Sequence, residues 1–191
     1  MNLPNRLTVS RFFLTVLFVF CLSSTFRFSR TTGLFLFILA GITDYMDGEI
    51  ARRRSLVTDF GKLMDPLVDK IMIAAAFVCL VALRAVPAWV AIVIISREFL
   101  ITGLRMLAAS KGKILPAESM GKHKTVWQII TVLFFLGMLA LGEIDRFEGE
   151  EWLVATKSYG GALFIACALG FTLYSGLGYL WKNRALIQTE Q

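Results

Sequence analysis

The sequence has few of the residues that form disulfide frameworks or transition-metal sites: one histidine and three cysteines among 191 residues. Cys21, Cys79 and Cys167 lie far apart in apolar segments, and their spacing is that of neither a metal site nor a redox pair. We expect them to be small buried hydrophobic residues. His123 is expected to be an interfacial side chain rather than a ligand. These absences argue against a Cys/His metal centre.

Linkers rich in proline, glycine or serine are also lacking, and no hydrophilic block is long enough to form a second domain. What the chain has instead is apolar sequence, with 57% hydrophobic residues and a mean hydropathy of +0.68. Runs such as 12–22, 71–83 and 126–141 are too long and too frequent for a water-soluble core. We therefore expect one integral membrane domain spanning residues 1–191.

The apolar runs predict an all-α bundle of six transmembrane helices. Residues 2–8 precede the first helix and are expected to form a short interfacial segment. Pro66 is expected in the first turn of the third helix, where its missing N–H costs little. The predicted helices cover residues 8–26, 33–54, 63–83, 86–109, 121–142 and 154–181.

Basic residues predict the orientation of this bundle, because Lys and Arg concentrate on the cytoplasmic side of membrane proteins. Thirteen of the 20 fall on one side, five on the other, and Lys70 and Arg97 lie within helices. Both termini should therefore be cytoplasmic. The basic residues cluster at membrane edges, so we expect contacts with anionic lipids and no binding of nucleic acid. The thirteen are Arg6, Arg11, Arg52, Arg53, Arg54, Lys62, Arg105, Lys111, Lys113, Lys122, Lys124, Lys182 and Arg184.

Four aspartates stand at fixed spacing where the flanking sequence is almost wholly apolar. The stretch from Asp44 to Asp69 follows the pattern D-x2-D-G-x2-A-R-x8-G-x3-D-x3-D. A carboxylate at membrane depth is expensive and marks function, and four together repel unless cations lie among them. Carboxylates without His or Cys favour Mg²⁺ or Mn²⁺, and four of them are enough to bind two ions. A buried charge network or an ion path remains the alternative.

Helical spacing predicts two stripes within this motif, because residues three and four apart share a helix face. Asp44, Asp47, Gly48 and Ala51 form a stripe at the end of the second helix, and Gly61, Asp65 and Asp69 form a stripe on the third. The short connection between these helices would make them antiparallel neighbours. The two glycines would allow close approach of backbone or substrate, and Arg52 is suited to bind phosphate.

The stretch resembles the complete motif of the CDP-alcohol phosphotransferase family, with no departure at any fixed position. The resemblance implies a six-helix membrane enzyme, homodimeric, in which an acceptor hydroxyl displaces CMP from a CDP-linked substrate. It implies that two divalent metals bind to Asp44, Asp47, Asp65 and Asp69, and that Asp69 is also the catalytic general base. It also implies a multi-pass location in the bacterial cytoplasmic membrane. The excess of Lys and Arg places the aspartate motif, like both termini, on the cytoplasmic side, so the active site should face the cytoplasm. The expected CDP-diacylglycerol-binding residues are Asn5, Gly48, Ala51, Arg52 and Gly61.

Segments outside the motif resemble the phosphatidylglycerophosphate synthase branch of that family. They are Leu3–Thr8 with Arg11, Ser96–Arg105 and Gly121–Thr125. Glu98, Thr102 and Arg105 share one helix face. A phosphorylated acceptor, sn-glycerol 3-phosphate, would supply an anion for cations at or near membrane depth. The expected acceptor-phosphate-binding residues are Arg97, Arg105, Lys122 and Lys124.

Three alternatives remain open at this point. The chemistry would be unchanged with another acceptor, such as phosphatidylglycerol in a cardiolipin synthase or an inositol phosphate. A cation transporter would use the aspartates as an ion path, although no repeats with broken helices are detected. Arg97 would alternatively pair with Glu98 or another helix, with the lysines marking only the membrane edge.

The sixth helix carries small residues at four-residue spacing: Ala162, Ala166 and Gly170. Such a stripe allows two helices to approach closely. It predicts either packing within the bundle or a seam between two copies of the chain.

Overall fold

The computed structural model describes residues 3–54, 59–110, 120–147 and 150–184. Within these ranges the regular structure is helical, without a strand, which confirms the predicted all-α class. The described helices, in chain order, are α1 (Leu3–Ser23), α2 (Ser29–Arg54), α3 (Asp59–Ala82), α4 (Ala88–Ser110), α5 (Met120–Leu141) and α6 (Glu151–Lys182).

Three predicted helix beginnings are wrong, and one of them is that of α2, which begins at Ser29 and not at residue 33. The sequence predicts a separate segment before the first helix, whereas Leu3–Ser23 form one continuous helix. Pro4 lies in its first turn, where a missing N–H breaks no hydrogen bond. Similarly, α3 begins at Asp59, so Pro66 lies inside the helix and not in its first turn. Apolar runs locate the membrane-embedded part of a helix, but polar residues extend the helix beyond it.

The hydrophobic core lies in the half of the bundle next to the connections that follow α1, α3 and α5. In the described part of the chain, α1 packs on α2 and α3, α5 packs on α2, α3 and α6, and α4 packs on α3 and α6. Cys21 and Cys79 are buried in this core as expected, and the third cysteine is half-buried. The deepest large apolar side chains are Phe18, Phe77, Leu80, Ile94, Phe135 and Leu136.

The outside of the bundle is apolar as well. Large hydrophobic side chains such as Phe20, Phe35 and Phe99 are more than half exposed. An apolar exterior of this extent marks contact with a membrane or a partner. By length and apolarity, two described segments, His123–Leu141 and Glu151–Lys182, are able to span a membrane. These two segments and the apolar exterior are consistent with a helical protein located in a membrane.

The small residues predicted to pack α6 face outward. Ala162, Ala166 and Gly170 are exposed, so the interpretation of this stripe as packing within the bundle is wrong. Another face of α6 is buried, and there Phe135 lies so close to Gly161 that a Cβ on this glycine would be 2.7 Å from the Phe135 Cζ. The α5–α6 contact therefore depends on glycine at a different position of the helix.

The connection between α5 and α6 caps the beginning of α2. The Glu143 carboxylate accepts hydrogen bonds from the backbone N–H groups of Arg30 and Thr31, each at 2.8 Å, and from the Thr31 hydroxyl at 2.8 Å. Partial burial acts to raise the pKa of Glu143. The three hydrogen bonds, with the nearby charge of Arg30, outweigh burial and lower the pKa below its ordinary value. A carboxylate at a helix N-terminus also interacts favourably with the helix dipole.

We expect Glu143→Gln to lower the stability of the protein at neutral pH by about 1 kcal/mol, as for loss of a helix cap. For a chain of this size the unfolding temperature should fall by about 2–4 °C. Because the folded-state pKa is depressed, this contribution is present above the ordinary pKa of about 4.3 and is lost as pH falls through the folded-state value. Thermal unfolding in detergent, followed by circular dichroism at several pH values, measures it.

The matched control is Asp145→Asn on the same connection. Asp145 pairs with Arg27 at 2.6 Å, but both side chains are mostly exposed, so the pair contributes little. A difference between Glu143→Gln and the unsubstituted protein that does not shrink below pH 4 would contradict the capping role.

Candidate active site

The predicted metal-binding residues lie on two helices, as the motif indicates. Asp44 and Asp47 belong to the second half of α2, and Asp65 and Asp69 to the first half of α3. Their side chains lie outside the residues described, and so does the predicted contact between the two stripes. The surroundings of the other predicted residues also lie outside the description: Gly48, Ala51, Arg52 and Gly61, Asn5 on α1 and Lys122 on α5.

The described part of the site begins at Lys70, the residue after Asp69. Its ammonium group donates a hydrogen bond to the Thr102 hydroxyl on α4. That hydroxyl in turn donates to the backbone carbonyl oxygen of Glu98, at 2.8 Å, one turn earlier on α4. The turn of α3 that contains Asp69 and Lys70 is therefore connected by this hydrogen bond to the middle of α4.

Glu98 is the centre of a group of charged side chains from α4 and α5. Its Oε1 accepts a hydrogen bond from the ammonium group of Lys124, which is only 6% exposed, and lies 3.3 Å from Arg97 Nη1. Charges removed from water require close partners. We refer to Lys70, Arg97, Glu98, Thr102 and Lys124 as the Glu98 cluster.

The two arginines of α4 are held by α6. Arg97 Nη2 donates to Ser175 Oγ at 3.0 Å, and Arg105 Nε donates to the Tyr179 hydroxyl oxygen at 3.2 Å. The Arg105 guanidinium also lies over the Tyr179 ring, 5.3 Å from its centroid. The sequence contains a signal for these contacts, because Thr172, Ser175 and Tyr179 recur on one face of an otherwise apolar helix.

The predicted acceptor residues are brought together in part. Arg97 and Lys124 meet at Glu98, whereas Arg105 lies eight residues farther along α4, about 12 Å by helical rise. The predicted alternative in which Arg97 pairs with Glu98 is confirmed for this pair of residues. Lys124 is buried and paired, which argues against a role as a membrane-edge marker. His123 is exposed, as expected of an interfacial residue.

A cavity of about 660 Å³ adjoins the Glu98 cluster, a volume typical of small-molecule sites. Most of its wall is apolar, formed by α1 to α5, with Lys70, Glu98 and Thr102 among its polar groups. Arg11 of α1, almost fully buried, contributes a further cation. Among described residues, Arg97, Arg105 and Lys124 do not line it, but Arg97 and Lys124 contact Glu98, which does.

Comparison with known proteins shows which family the sequence resembles. A family model described as CDP-alcohol phosphatidyltransferase matches residues 1–173. A Bacillus subtilis (strain 168) protein named CDP-diacylglycerol--glycerol-3-phosphate 3-phosphatidyltransferase is 40% identical, over 99% of this chain and 98% of its own length. Proteins of the same name from Rickettsia bellii and Pseudomonas fluorescens are 37% and 33% identical. They cover 93% and 94% of this chain, and 93% and 89% of their own lengths.

The family match covers the complete aspartate motif and the Glu98 cluster, and the similarity to named relatives extends over nearly the whole chain. The chain therefore belongs to the CDP-alcohol phosphatidyltransferase family.

Proposed function

We propose that the protein transfers the phosphatidyl group of CDP-diacylglycerol to sn-glycerol 3-phosphate in phospholipid biosynthesis. The products are phosphatidylglycerophosphate and CMP. Relatives that align over nearly the full chain are named for this reaction. The observation that carries the assignment of the acceptor is the Glu98 cluster, which concentrates Lys70, Arg97 and Lys124 next to the level of Asp69.

The donor side is assigned to the aspartate motif. Four carboxylates, without a nearby histidine or cysteine in the sequence, fit Mg²⁺ or Mn²⁺, and two such ions would be held by Asp44, Asp47, Asp65 and Asp69. When bound, the ions would supply positive charge at the oxygens of the transferred phosphoryl group. The remainder of CDP-diacylglycerol would contact Asn5, Gly48, Ala51, Arg52 and Gly61.

Asp69 is proposed as the general base. Its carboxylate accepts the proton of the acceptor hydroxyl while that oxygen forms a bond to the lipid-bearing phosphorus. The bond between this phosphorus and the CMP oxygen breaks, and CMP leaves with the electron pair. The Lys70–Thr102 hydrogen bond supports this role, because it holds the Asp69 level of α3 against the helix that carries Arg97 and Arg105.

The acceptor phosphate is assigned to the cations of α4 and α5. A phosphomonoester carries about −1.5 to −2 charges at pH 7. A concentration of lysine and arginine around one carboxylate attracts such an anion and raises its local concentration. An acceptor without a phosphate, such as free glycerol, would not provide an anion for these cations to bind.

An assay of CMP release from radiolabelled CDP-diacylglycerol tests the proposal. We expect rapid release with sn-glycerol 3-phosphate and little with glycerol, phosphatidylglycerol or an inositol phosphate. Release with phosphatidylglycerol alone would identify a cardiolipin synthase instead. Absence of CMP release with every acceptor, combined with cation flux into vesicles, would support the transporter alternative.

Arg105→Ala is expected to raise the KM for sn-glycerol 3-phosphate and to leave the KM for CDP-diacylglycerol nearly unchanged. Loss of a hydrogen bond to a charged group costs about 1.5–3 kcal/mol, which corresponds to roughly a tenfold to hundredfold effect. Steady-state kinetics with each substrate varied in turn measure the two constants. Arg146→Ala, at an exposed arginine of the α5–α6 connection, is the control and should change neither. A shift confined to the CDP-diacylglycerol constant would assign Arg105 to the donor site.

Six membrane spans, cytoplasmic termini, a cytoplasmic active site and a homodimer are also proposed. The bias of Lys and Arg supports the orientation, and the family resemblance supports the dimer. Labelling of Asp145→Cys from the outer side of intact cells tests the orientation. A protein mass in detergent of twice 21.3 kDa tests the dimer. Labelling only from the cytoplasmic side, or a mass of one chain, would refute the respective proposal.

A further inference from the structure

The buried face of α6 continues beyond residue 173, where the family match ends. Ser175, Gly176 and Tyr179 lie on this face at spacings that bring them to one side of the helix. All three are buried, and each contacts an arginine of α4. They lie outside the aspartate motif and outside the segments that resemble a family branch.

Tyr179 controls the orientation of Arg105 in two ways. Its hydroxyl oxygen accepts a hydrogen bond from Arg105 Nε, and its ring lies under the guanidinium at 5.3 Å. The two contacts restrict both the plane and the direction of the guanidinium. Because Nε is used by Tyr179, an anion would bind to the terminal nitrogens, which form the bidentate fork of arginine.

Ser175 and Gly176 act similarly on Arg97. Ser175 Oγ accepts from Arg97 Nη2 at 3.0 Å, and its hydroxyl donates within α6, to the Phe171 carbonyl oxygen at 2.7 Å or to the Thr172 carbonyl oxygen at 3.2 Å. Gly176 lets the arginine stem pass close to the α6 backbone. A Cβ at this position would be 3.0 Å from Arg97 Cγ and 3.2 Å from Arg97 Nε.

We propose that Ser175, Gly176 and Tyr179 form an α6 platform that orients Arg97 and Arg105 for the phosphate of the acceptor. The inference rests on the proposed function, because it assigns these arginines to acceptor binding. Groups that bind a reacting substrate must be held within a fraction of an ångström, and arginine side chains have many rotamers. The platform removes that freedom before the acceptor arrives. Its residues are positioning residues and do not take part in the chemistry.

The first test is Tyr179→Phe, which keeps the ring and removes the hydrogen-bond acceptor. We expect the KM for sn-glycerol 3-phosphate to rise about threefold to tenfold, as for loss of one hydrogen bond. The turnover number and the KM for CDP-diacylglycerol should stay nearly constant. Tyr174→Phe is the control, because Tyr174 is on the same helix but is mostly exposed.

A double-substitution cycle separates positioning from packing. If Tyr179 acts through Arg105, then Tyr179→Phe has no further effect on the acceptor KM in an Arg105→Ala background. A purely structural role of Tyr179 would instead give effects that multiply, or a parallel rise of both KM values. Either of these results overturns the proposal for Tyr179.

Gly176→Ala tests the other arginine. The added methyl group would displace Arg97, so the acceptor KM should rise by at least about threefold, an effect near 0.7 kcal/mol. Gly178→Ala is a matched control two residues away, since a Cβ there meets nothing within 4 Å. Equal effects of the two glycine substitutions would indicate a general response of α6 and would refute the platform at Arg97.

Failure of the platform is distinguishable from failure of the proposed function. If Arg97→Ala and Arg105→Ala raise the acceptor KM but Tyr179→Phe and Gly176→Ala do not, only the platform is refuted. If neither arginine substitution changes the acceptor KM, the assignment of the acceptor site is wrong. The platform proposal, which depends on that assignment, is then refuted as well.

Discussion

Replacing Asp69 by asparagine is expected to lower the turnover number by at least about a hundredfold. The substitution keeps the size of the side chain but removes the proposed proton acceptor and one proposed metal ligand. Loss of a general base alone typically costs 10²–10⁴-fold, and loss of a metal ligand adds to it. Initial rates of CMP release at saturating concentrations of both substrates measure the effect.

The folded state of the Asp69→Asn protein must be verified by its thermal unfolding in detergent. Asp145→Asn provides the comparison, because Asp145 is an exposed carboxylate in the connection between α5 and α6. It should retain nearly full turnover. An Asp69→Asn protein with a rate close to that of the unsubstituted protein would remove this residue from the catalytic site.

Removal of divalent cations is expected to abolish activity. Four carboxylates close together repel one another unless cations lie among them, and the sequence contains no His or Cys near them that would favour zinc. Excess EDTA should therefore reduce CMP release to background. Added Mg²⁺ or Mn²⁺ should restore it. Full turnover in excess EDTA would refute the two-metal mechanism.

Metal binding should also be visible without turnover. A ligand that binds only the folded protein stabilises it by about 2.7 kcal/mol at 100 times its dissociation constant. Mg²⁺ should thus raise the unfolding temperature of the unsubstituted protein, and Asp65→Asn should reduce this rise. Asp145→Asn should leave the rise unchanged. An unfolding temperature that does not respond to Mg²⁺ or Mn²⁺ would place the metal requirement in doubt even if EDTA inhibits.

The helix order and the aspartate motif could be predicted from the sequence because both are local patterns. Apolar runs identify membrane-embedded helices, and spacings of three and four residues place Asp44 with Asp47 and Asp65 with Asp69 on helix faces. The helix beginnings at Leu3 and Asp59 were not predictable in the same way. Polar residues near the membrane edge are equally compatible with a helical turn or a loop, so their sequence does not determine where the helix begins.

The partners of the buried charged side chains were harder to predict from the sequence. Glu98 was recognised as sharing a face with Thr102, but its ion pair with Lys124 joins residues of different helices. The contacts of Arg97 with Ser175 and of Arg105 with Tyr179 span more than seventy residues of sequence. Helical periodicity states which residues share a face of one helix. It does not state which face of another helix lies opposite.

The sixth helix shows this limit most clearly. Its small residues Ala162, Ala166 and Gly170 satisfy the packing pattern, yet the structure buries Gly161, Ser175 and Tyr179 instead. Sequence alone determined that the chain is apolar and helical and carries a four-carboxylate motif, because composition and spacing are properties of single segments. Only the tertiary structure decided which α6 face meets the α4 arginines, because that choice depends on how all the helices fill the bundle together.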